Sequence, residues 1–259
     1  MPYLPFDGKN SPSIPFTLNR ASPQAVGLVA WWTALAERGA GMWRERVVGS
    51  TATFTGTITW ESDPELGSRL NFSRAGTSYI VTGIAAQTAA PFSLAAWIRP
   101  TNGATYRSIM GCTSNGGTEW RLSNTSHLEL LQQSTALIAT STGTVTNDAT
   151  NHVAFTYASG GVWTFYINGF ASGTGTNSVT FTAGNIDLGH HPTLGGEEYD
   201  GAMADVRIYN RALSAAEVWQ LYAPQTRWDL YRVTPFAGAP SIAATVVSGA
   251  IRMPLLGVG

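Results

Sequence analysis

Residues 152–169 read HVAFTYASGGVWTFYING, and this stretch decides the fold. His152-Val153-Ala154-Phe155-Thr156-Tyr157 alternates, and Val162-Trp163-Thr164-Phe165-Tyr166-Ile167-Asn168 alternates again. A period of two is the period of a strand, because successive side chains leave opposite faces. Ser159-Gly160-Gly161 lies between the runs and tolerates left-handed backbone, so the pair predicts an antiparallel hairpin. Asn168-Gly169 marks the next turn.

The same texture extends outward from about residue 25. Phe54, Ile58 and Trp60 fall on one face of Thr53–Trp60 at period two, and Phe92–Ile98 reads as a more fully buried run. Short strands separated by Gly-, Ser-, Thr- and Asn-rich turns predict an all-β sandwich or barrel. One helix interrupts them. Ser214-Ala215-Ala216-Glu217 is a capping box, Val218, Leu221 and Tyr222 form an apolar stripe, and Pro224 stops it. The spacing predicts a helix over 213–222.

Composition narrows the function classes. Of 259 residues only 12% are charged, against roughly 25% in average globular chains. The formal net charge is −1, which argues against the clustered positive surface that nucleic acid needs, so no nucleic-acid partner is expected. No apolar run approaches the ~18 residues of a membrane helix, so no membrane insertion is expected. The beginning of the chain carries no basic, apolar secretory pattern, so synthesis and folding in the cytoplasm are expected. Cys112 is the one cysteine, which rules out an intrachain disulfide or thiolate metal cluster. It reads as a small buried hydrophobe.

Apolar residues are also concentrated at the two ends. Residues 1–24 hold Pro2, Pro5, Pro12, Pro15 and Pro23, which forbid helix, interspersed with Tyr3, Phe6, Ile14, Phe16 and Leu18. Residues 225–259 hold Trp228, Tyr231, Phe236, Ile251 and Met253 among other apolar side chains, against four charged residues. Such surface needs cover, either from its own domain or from a neighbouring chain. The second is preferred. The chain therefore divides into an extended arm 1–24, a sandwich 25–224 and an apolar arm 225–259. Assembly contacts are expected at Tyr3, Phe6, Phe16, Trp228, Tyr231, Phe236, Ile251 and Met253.

Three stretches resemble the laminin G-like, concanavalin A-like lectin and glucanase sandwich family. Gly27-Leu28-Val29-Ala30-Trp31-Trp32 is similar to its opening strand. FSLAAWIRP at 92–100, together with 151–157 and 165–169, is similar to its central strands. Residues 199–218, YDGAMADVRIYNRALSAAEV, are close to its "FDGxIDDVRIYNRALSAAEV" end. The resemblance covers roughly 25–223. It implies a two-sheet antiparallel jelly-roll sandwich with one short C-terminal helix. The flank Tyr222–Tyr231 adds a likeness to structural proteins of tailed phages and prophages that carry this domain.

Chemistry is harder to find. A glycanase on this sandwich needs paired carboxylates, and family members usually present them as E-x-D-x-E on one strand. That pattern is missing, Glu129 stands alone, and Glu197-Glu198 read as a solvated loop. The family's acidic calcium turn corresponds to Leu70–Ile80, where Asn71, Ser73, Thr77 and Ser78 replace acids and Arg74 enters. Asp200 and Asp205 remain, and Asp205 can equally serve a turn or a salt bridge. His190-His191 read as structural or solvated, since metal sites need convergent ligands. No nucleophile elbow or P-loop appears. No catalytic residue, metal or cofactor is expected, so the chain reads as non-enzymatic.

Trp31, Trp32, Trp60, Trp97 and Trp163 sit in strands, where core packing is the default. Trp120, beside Gly116-Gly117, is the candidate for stacking on a sugar. The leading expectation is a phage virion structural protein, a capsid decoration or fibre component. Its partners would be itself, as a trimer or other cyclic homo-oligomer, and capsid or other virion proteins. It would reside in the virion after synthesis in the host cytoplasm. The alternative is a carbohydrate-binding module for host-surface glycans.

Overall fold

The computed structural model describes residues 16–33, 42–101, 103, 105–133, 136–192 and 196–233. Tyr3, Phe6, Phe236, Ile251 and Met253 lie outside the described residues. In chain order the strands are β1 (Phe16–Leu18), β2 (Leu28–Trp32), β3 (Met42–Arg44), β4 (Thr51–Thr55), β5 (Ile58–Asp63), β6 (Gly67–Phe72), β7 (Tyr79–Ala85), β8 (Phe92–Pro100) and β9 (Arg107–Cys112). They continue with β10 (Thr118–Leu122), β11 (His127–Gln132), β12 (Ala136–Thr144), β13 (Asn151–Tyr157), β14 (Val162–Ile167), β15 (Phe170–Thr176), β16 (Asn185–Leu188), β17 (Gly201–Tyr209) and, after helix α1 (Ala215–Tyr222), β18 (Tyr231–Val233).

Two antiparallel sheets face each other. Sheet I has the order β15-β14-β13-β8-β17-β6-β5, with β2 also pairing along β17. Sheet II has the order β12-β11-β10-β9-β16-β7-β4-β3. Their inner faces alternate as sandwich geometry requires. Leu94, Ala96 and Ile98 on β8, and Val153, Phe155 and Tyr157 on β13, meet Met110, Trp120, Leu122, Leu128 and Leu130 of sheet II. A fully buried Leu, Phe or Met side chain contributes roughly 1.5–3 kcal/mol. The β13–β14 hairpin forms as expected, with φ of +81° at Gly160 and +78° at Gly161.

One expectation needs correction. Thr53–Trp60 is not one strand. Gly56, at φ +73°, turns the chain out of β4 in sheet II and into β5 in sheet I. A Cβ there would lie 2.4 Å from the Gly76 carbonyl oxygen, so the crossing depends on glycine. Every residue of β13 is buried, so this strand is covered on both faces. Sheet I is covered on its outer face too. Val218 and Leu221 of α1 pack on Ala95, Ala154, Tyr166 and Tyr209.

The second cover on that face changes the reading of the arms. Trp228, Leu230 and Tyr231 are buried against Trp31, Leu66, Trp97 and Ala204. Phe16 joins them: β1 pairs with β18 in the register Phe16↔Val233, and the Phe16 and Tyr231 rings lie 4.6 Å apart. Phe16, Trp228 and Tyr231 therefore cover their own sandwich rather than a neighbouring chain. The physical reason is that the outer face of sheet I bears Trp31 and Trp97, which need cover of their own. The sandwich runs from residue 16 to residue 233, and the arm boundaries move outward to match.

Helix α1 carries the capping box. Ser214 Oγ accepts from the Glu217 amide, and Glu217 accepts from the Ser214 amide at 2.9 Å. Arg207, 1% exposed, ties the layers together. Its guanidinium donates to both carboxylate oxygens of Asp205, to Gln24 Oε1 at 2.8 Å and to the Arg227 carbonyl at 3.0 Å. Asp205 sits at φ +49° where the β17–β8 register shifts, and it also accepts from Trp31 Nε1 at 2.6 Å. Removing one partner of a buried pair strands the other charge. Asp205→Ala is therefore expected to cost about 3–5 kcal/mol in urea unfolding. A loss under about 1 kcal/mol would show that the network is incidental.

Candidate functional site

The outer face of sheet II carries a second charged cluster, apart from the Arg207 network on sheet I. Alternation along β10 turns Trp120 and Leu122 inward, so Glu119 and Arg121 point outward. Trp120 is 0% exposed and packs in the main core. It cannot stack on a sugar, which corrects the sequence expectation. Its neighbours Gly116-Gly117 form a turn, but the strand's phase sends the indole inside.

Gly111 is the structural key to this face. It pairs with Glu119 on one side and Asp187 on the other. A Cβ at Gly111 would lie 2.3 Å from the His190 carbonyl oxygen and 2.8 Å from Pro192. The missing side chain lets residues 189–192 lie across the sheet. Gly189 N donates to the Ile109 carbonyl at 2.9 Å, and Ser108 N donates to the Glu197 carbonyl at 2.8 Å. The strap made by 189–192 and 196–200 thereby lowers His191 and Glu197 onto β10.

His191 is 1% exposed, and its Nε2 lies 3.2 Å from Glu119 Oε2. The Gln133 amide meets His191 Nδ1 at 3.1 Å. Glu119 is 0% exposed, and its Oε1 has no hydrogen-bond partner among the described residues. Arg121 forks between Glu129 Oε2 at 3.0 Å and Glu197 Oε2 at 2.7 Å. Its guanidinium lies 4.1 Å from the centre of the half-exposed Tyr106 ring. Glu198, 7% exposed, caps the Gly196 amide. Of the two readings of His191, structural or solvated, the structural one holds; Glu198 is buried and Glu197 only partly exposed, so the expected solvated loop is corrected, and Glu129 does not stand alone. His190 stacks on Tyr79 at 4.2 Å instead of joining the cluster.

Burial pushes the Glu119 carboxyl up from its ordinary value, and contact with His191 only partly offsets this. Burial pulls His191 down, but its bond to Glu119 outweighs that and leaves it raised. Asp187, 5% exposed with Oδ1 unbonded among the described residues, is pushed by burial from 3.8 to about 6.

An oxygen of Glu119 and an oxygen of Glu197 lie within 4.8 Å of each other, near the ~5–5.5 Å of a retaining glycosidase pair. However, Glu119 is sealed beneath the strap and Glu197 is held by Arg121, so a sugar ring cannot reach between them. The family's remaining acidic positions are occupied structurally. Asp200 accepts from Thr101 Oγ1 at 2.6 Å and from the Arg74 amide at 3.3 Å, and Asp205 serves Arg207 and Trp31. Sequence reading missed Glu119 and His191 as a pair. The available signal was Gly111, which opposes Glu119 only once strand register is known.

A second exposed feature lies on the other side of the molecule. Phe170, 65% exposed, and Trp219, 42% exposed, meet edge to face at 5.2 Å where β15 passes α1.

A family model described as the concanavalin A-like lectin/glucanases superfamily matches residues 74–219. No curated protein matches the chain in sequence. Among solved structures, domain 4 of AbnA, a GH43 extracellular arabinanase from Geobacillus stearothermophilus, superposes with a TM-score of 0.58 at 20% identity. The match covers 76% of this chain and 98% of that one, and that structure is a complex with arabinotriose. The binding domain of Paraclostridial Mosquitocidal Protein 1 gives 0.61 at 14% identity, covering 77% of this chain and 52% of that one. Trypanosoma rangeli sialidase in complex with sialic acid gives 0.57 at 17%, covering 77% and 33%. The chain thus spans about a third of the sialidase and about half of the mosquitocidal binding domain. At these identities the likeness is one of fold.

Asp187 yields a pH test. Its folded value lies above its unfolded value, so the fold disfavours the charged form. Stability from this group is greatest below pH 3.8, falls between 3.8 and about 6, and stays reduced above that. Asp187→Asn is expected to stabilise the protein by roughly 1–3 kcal/mol at pH 7.5 and by little at pH 4. Thermal melts at the two pH values check this, and an equal effect at both would contradict it.

Proposed function

The chain belongs to the concanavalin A-like lectin/glucanases superfamily, and on that premise we propose a non-enzymatic virion structural protein: a lectin-like sandwich displayed from its two flanking segments as a capsid decoration or fibre component. The observation that carries this reading is the β1–β18 ribbon. Phe16 pairs with Val233, so the chain enters and leaves the sandwich at one point. Residues 1–15 and 234–259 continue from adjacent positions, and they keep the apolar residues Tyr3, Phe6, Phe236, Ile251 and Met253. Two segments leaving together can anchor a domain without crossing its faces. A groove of about 390 Å³ beside them, lined by Phe16, Leu18, Arg20, Arg44 and Arg46, adds a surface where a neighbouring subunit can lie. The sealed Glu119 and the absence of an open carboxylate pair among the described residues support a non-catalytic role.

Glycan binding is the second reading. The superfamily supports it, as does the likeness to an arabinanase domain solved with a sugar. Among the described residues, the exposed aromatic rings available for stacking are Phe170, Trp219 and Tyr106, not Trp120.

Light scattering on the full chain and on a 16–233 truncation tests the first reading, alongside co-sedimentation with purified virions. The full chain is expected to form a closed homo-oligomer and travel with particles, while 16–233 is expected to be a folded monomer. A monomeric full chain that does not sediment with particles would sink the proposal. A glycan array tests the second reading: binding is expected to fall at least about tenfold in Trp219→Ala, about 1.4 kcal/mol, the scale for truncating an aromatic that carries a binding contact.

A further inference from the structure

We propose that Glu119, His191 and Glu197 form a binding site for one divalent transition-metal ion of the zinc class, on the outer face of sheet II beneath the strap made by 189–192 and 196–200. One ligand atom from each of the three residues lies within 4.8 Å of the others. The donors are one imidazole nitrogen and two carboxylates, the N/O set that suits zinc, with water in the fourth position. His191 Nε2 and Glu119 Oε2 already stand 3.2 Å apart. Neighbouring ligands on a tetrahedral ion with bonds of about 2.0–2.2 Å are about 3.3 Å apart, so the Glu197 carboxylate needs to move in by up to about 1.5 Å. That shift draws on its contact with Arg121, one cation being exchanged for another.

Three further observations point to a cation. First, Glu119 is 0% exposed and its Oε1 has no hydrogen-bond partner among the described residues. A buried carboxylate oxygen left unbonded is costly. Second, three carboxylates, Glu119, Glu129 and Glu197, gather around Arg121 as the one arginine bonded to them in a largely buried cluster, a surplus of anionic donors that suits a cation. Third, the supporting residue is in place. Metal-bound histidines hand their other ring N–H to an oxygen acceptor. The Gln133 amide is 3.1 Å from His191 Nδ1, and rotating the amide so that Oε1 faces the ring lets it accept Nδ1–H and frees Nε2 for the ion.

The site is separate from the Leu70–Ile80 turn and from Asp200 and Asp205, the positions where the family resemblance places calcium. A bound ion would pin the strap to β10 and would compete with the proton that otherwise neutralises Glu119.

The test uses the full chain, stripped with EDTA and dialysed at pH 7.5. Zinc chloride added in a calorimeter is expected to bind saturably at one ion per chain and to raise the melting temperature by several degrees. Cobalt chloride is expected to give the visible absorption of a tetrahedral site. His191→Ala and Glu197→Gln are each expected to weaken zinc binding at least about tenfold, the scale for losing a ligand or its support. His190→Ala, which removes the ring stacked on Tyr79, is expected to leave zinc binding unchanged. Should His191→Ala fail to fold, Glu197→Gln decides, since it keeps the side chain's shape at the partly exposed rim. Absence of saturable binding by the folded wild-type chain overturns the proposal and leaves the proton as the occupant. Binding that survives Glu197→Gln unchanged, or that depends on His190, overturns it equally.

Discussion

One buried guanidinium holds the layers of this protein in place. Arg207 projects from the centre of sheet I into the space beneath β1 and residues 225–231. There it meets Asp205, Gln24 and the Arg227 carbonyl. A charge at that depth is tolerable only when nearly every donor is satisfied. Satisfying it fixes the β-bulge that aims Asp205 outward, the 3₁₀ turn that carries Gln24, and the turn after α1 that supplies Arg227. Trp31 is oriented by the same carboxylate and becomes the floor on which Phe16 and Tyr231 pack. The two flanking segments therefore enter the sandwich at a place chosen by an ion pair.

The two sheets are used differently. The central strands of sheet I are covered on both sides, so that part of its outer face is committed to architecture. Sheet II keeps ionisable side chains on its outer face and then covers part of them with a strap. The strap depends on a single missing side chain, at Gly111. Part of the chain's small complement of charge, 12% of its residues, is thus spent in buried ion pairs, Arg207 with Asp205 on sheet I and Arg121 with Glu129 on sheet II.

Much of the fold was legible in the residues. The 152–169 stretch, the Ser214 capping box and the glycine-rich hairpin all appear where local pattern placed them. Strand period could not show that residues 53–60 bend into two sheets, because Gly56 matters only through its contact with Gly76. Nor could it show the second cover on β13, since alternation is the same whether water or a tryptophan lies on the outer face. The apolarity of Phe16, Trp228 and Tyr231 was read correctly, but its destination was not, because composition carries no information about which surface provides the cover. The charged cluster was invisible for a similar reason. Glu119, Glu129, His191 and Glu197 are spread over 79 positions (197 − 119 + 1) and meet only through sheet register and the strap.

The β1–β18 ribbon also determines how force would travel through the molecule. With entry and exit side by side, a pull on the two flanking segments first loads the ladder from Phe16↔Val233 to Leu18↔Tyr231, and then the Asn19 bonds to Leu230 and Asp229 behind it. That geometry opens like a zipper, one rung at a time, beginning at the outermost pair. The large sheets lie behind the ribbon and take the load only after it has opened. Mechanically the sandwich is a bead on a loop of string: the tether can give way without the bead unfolding.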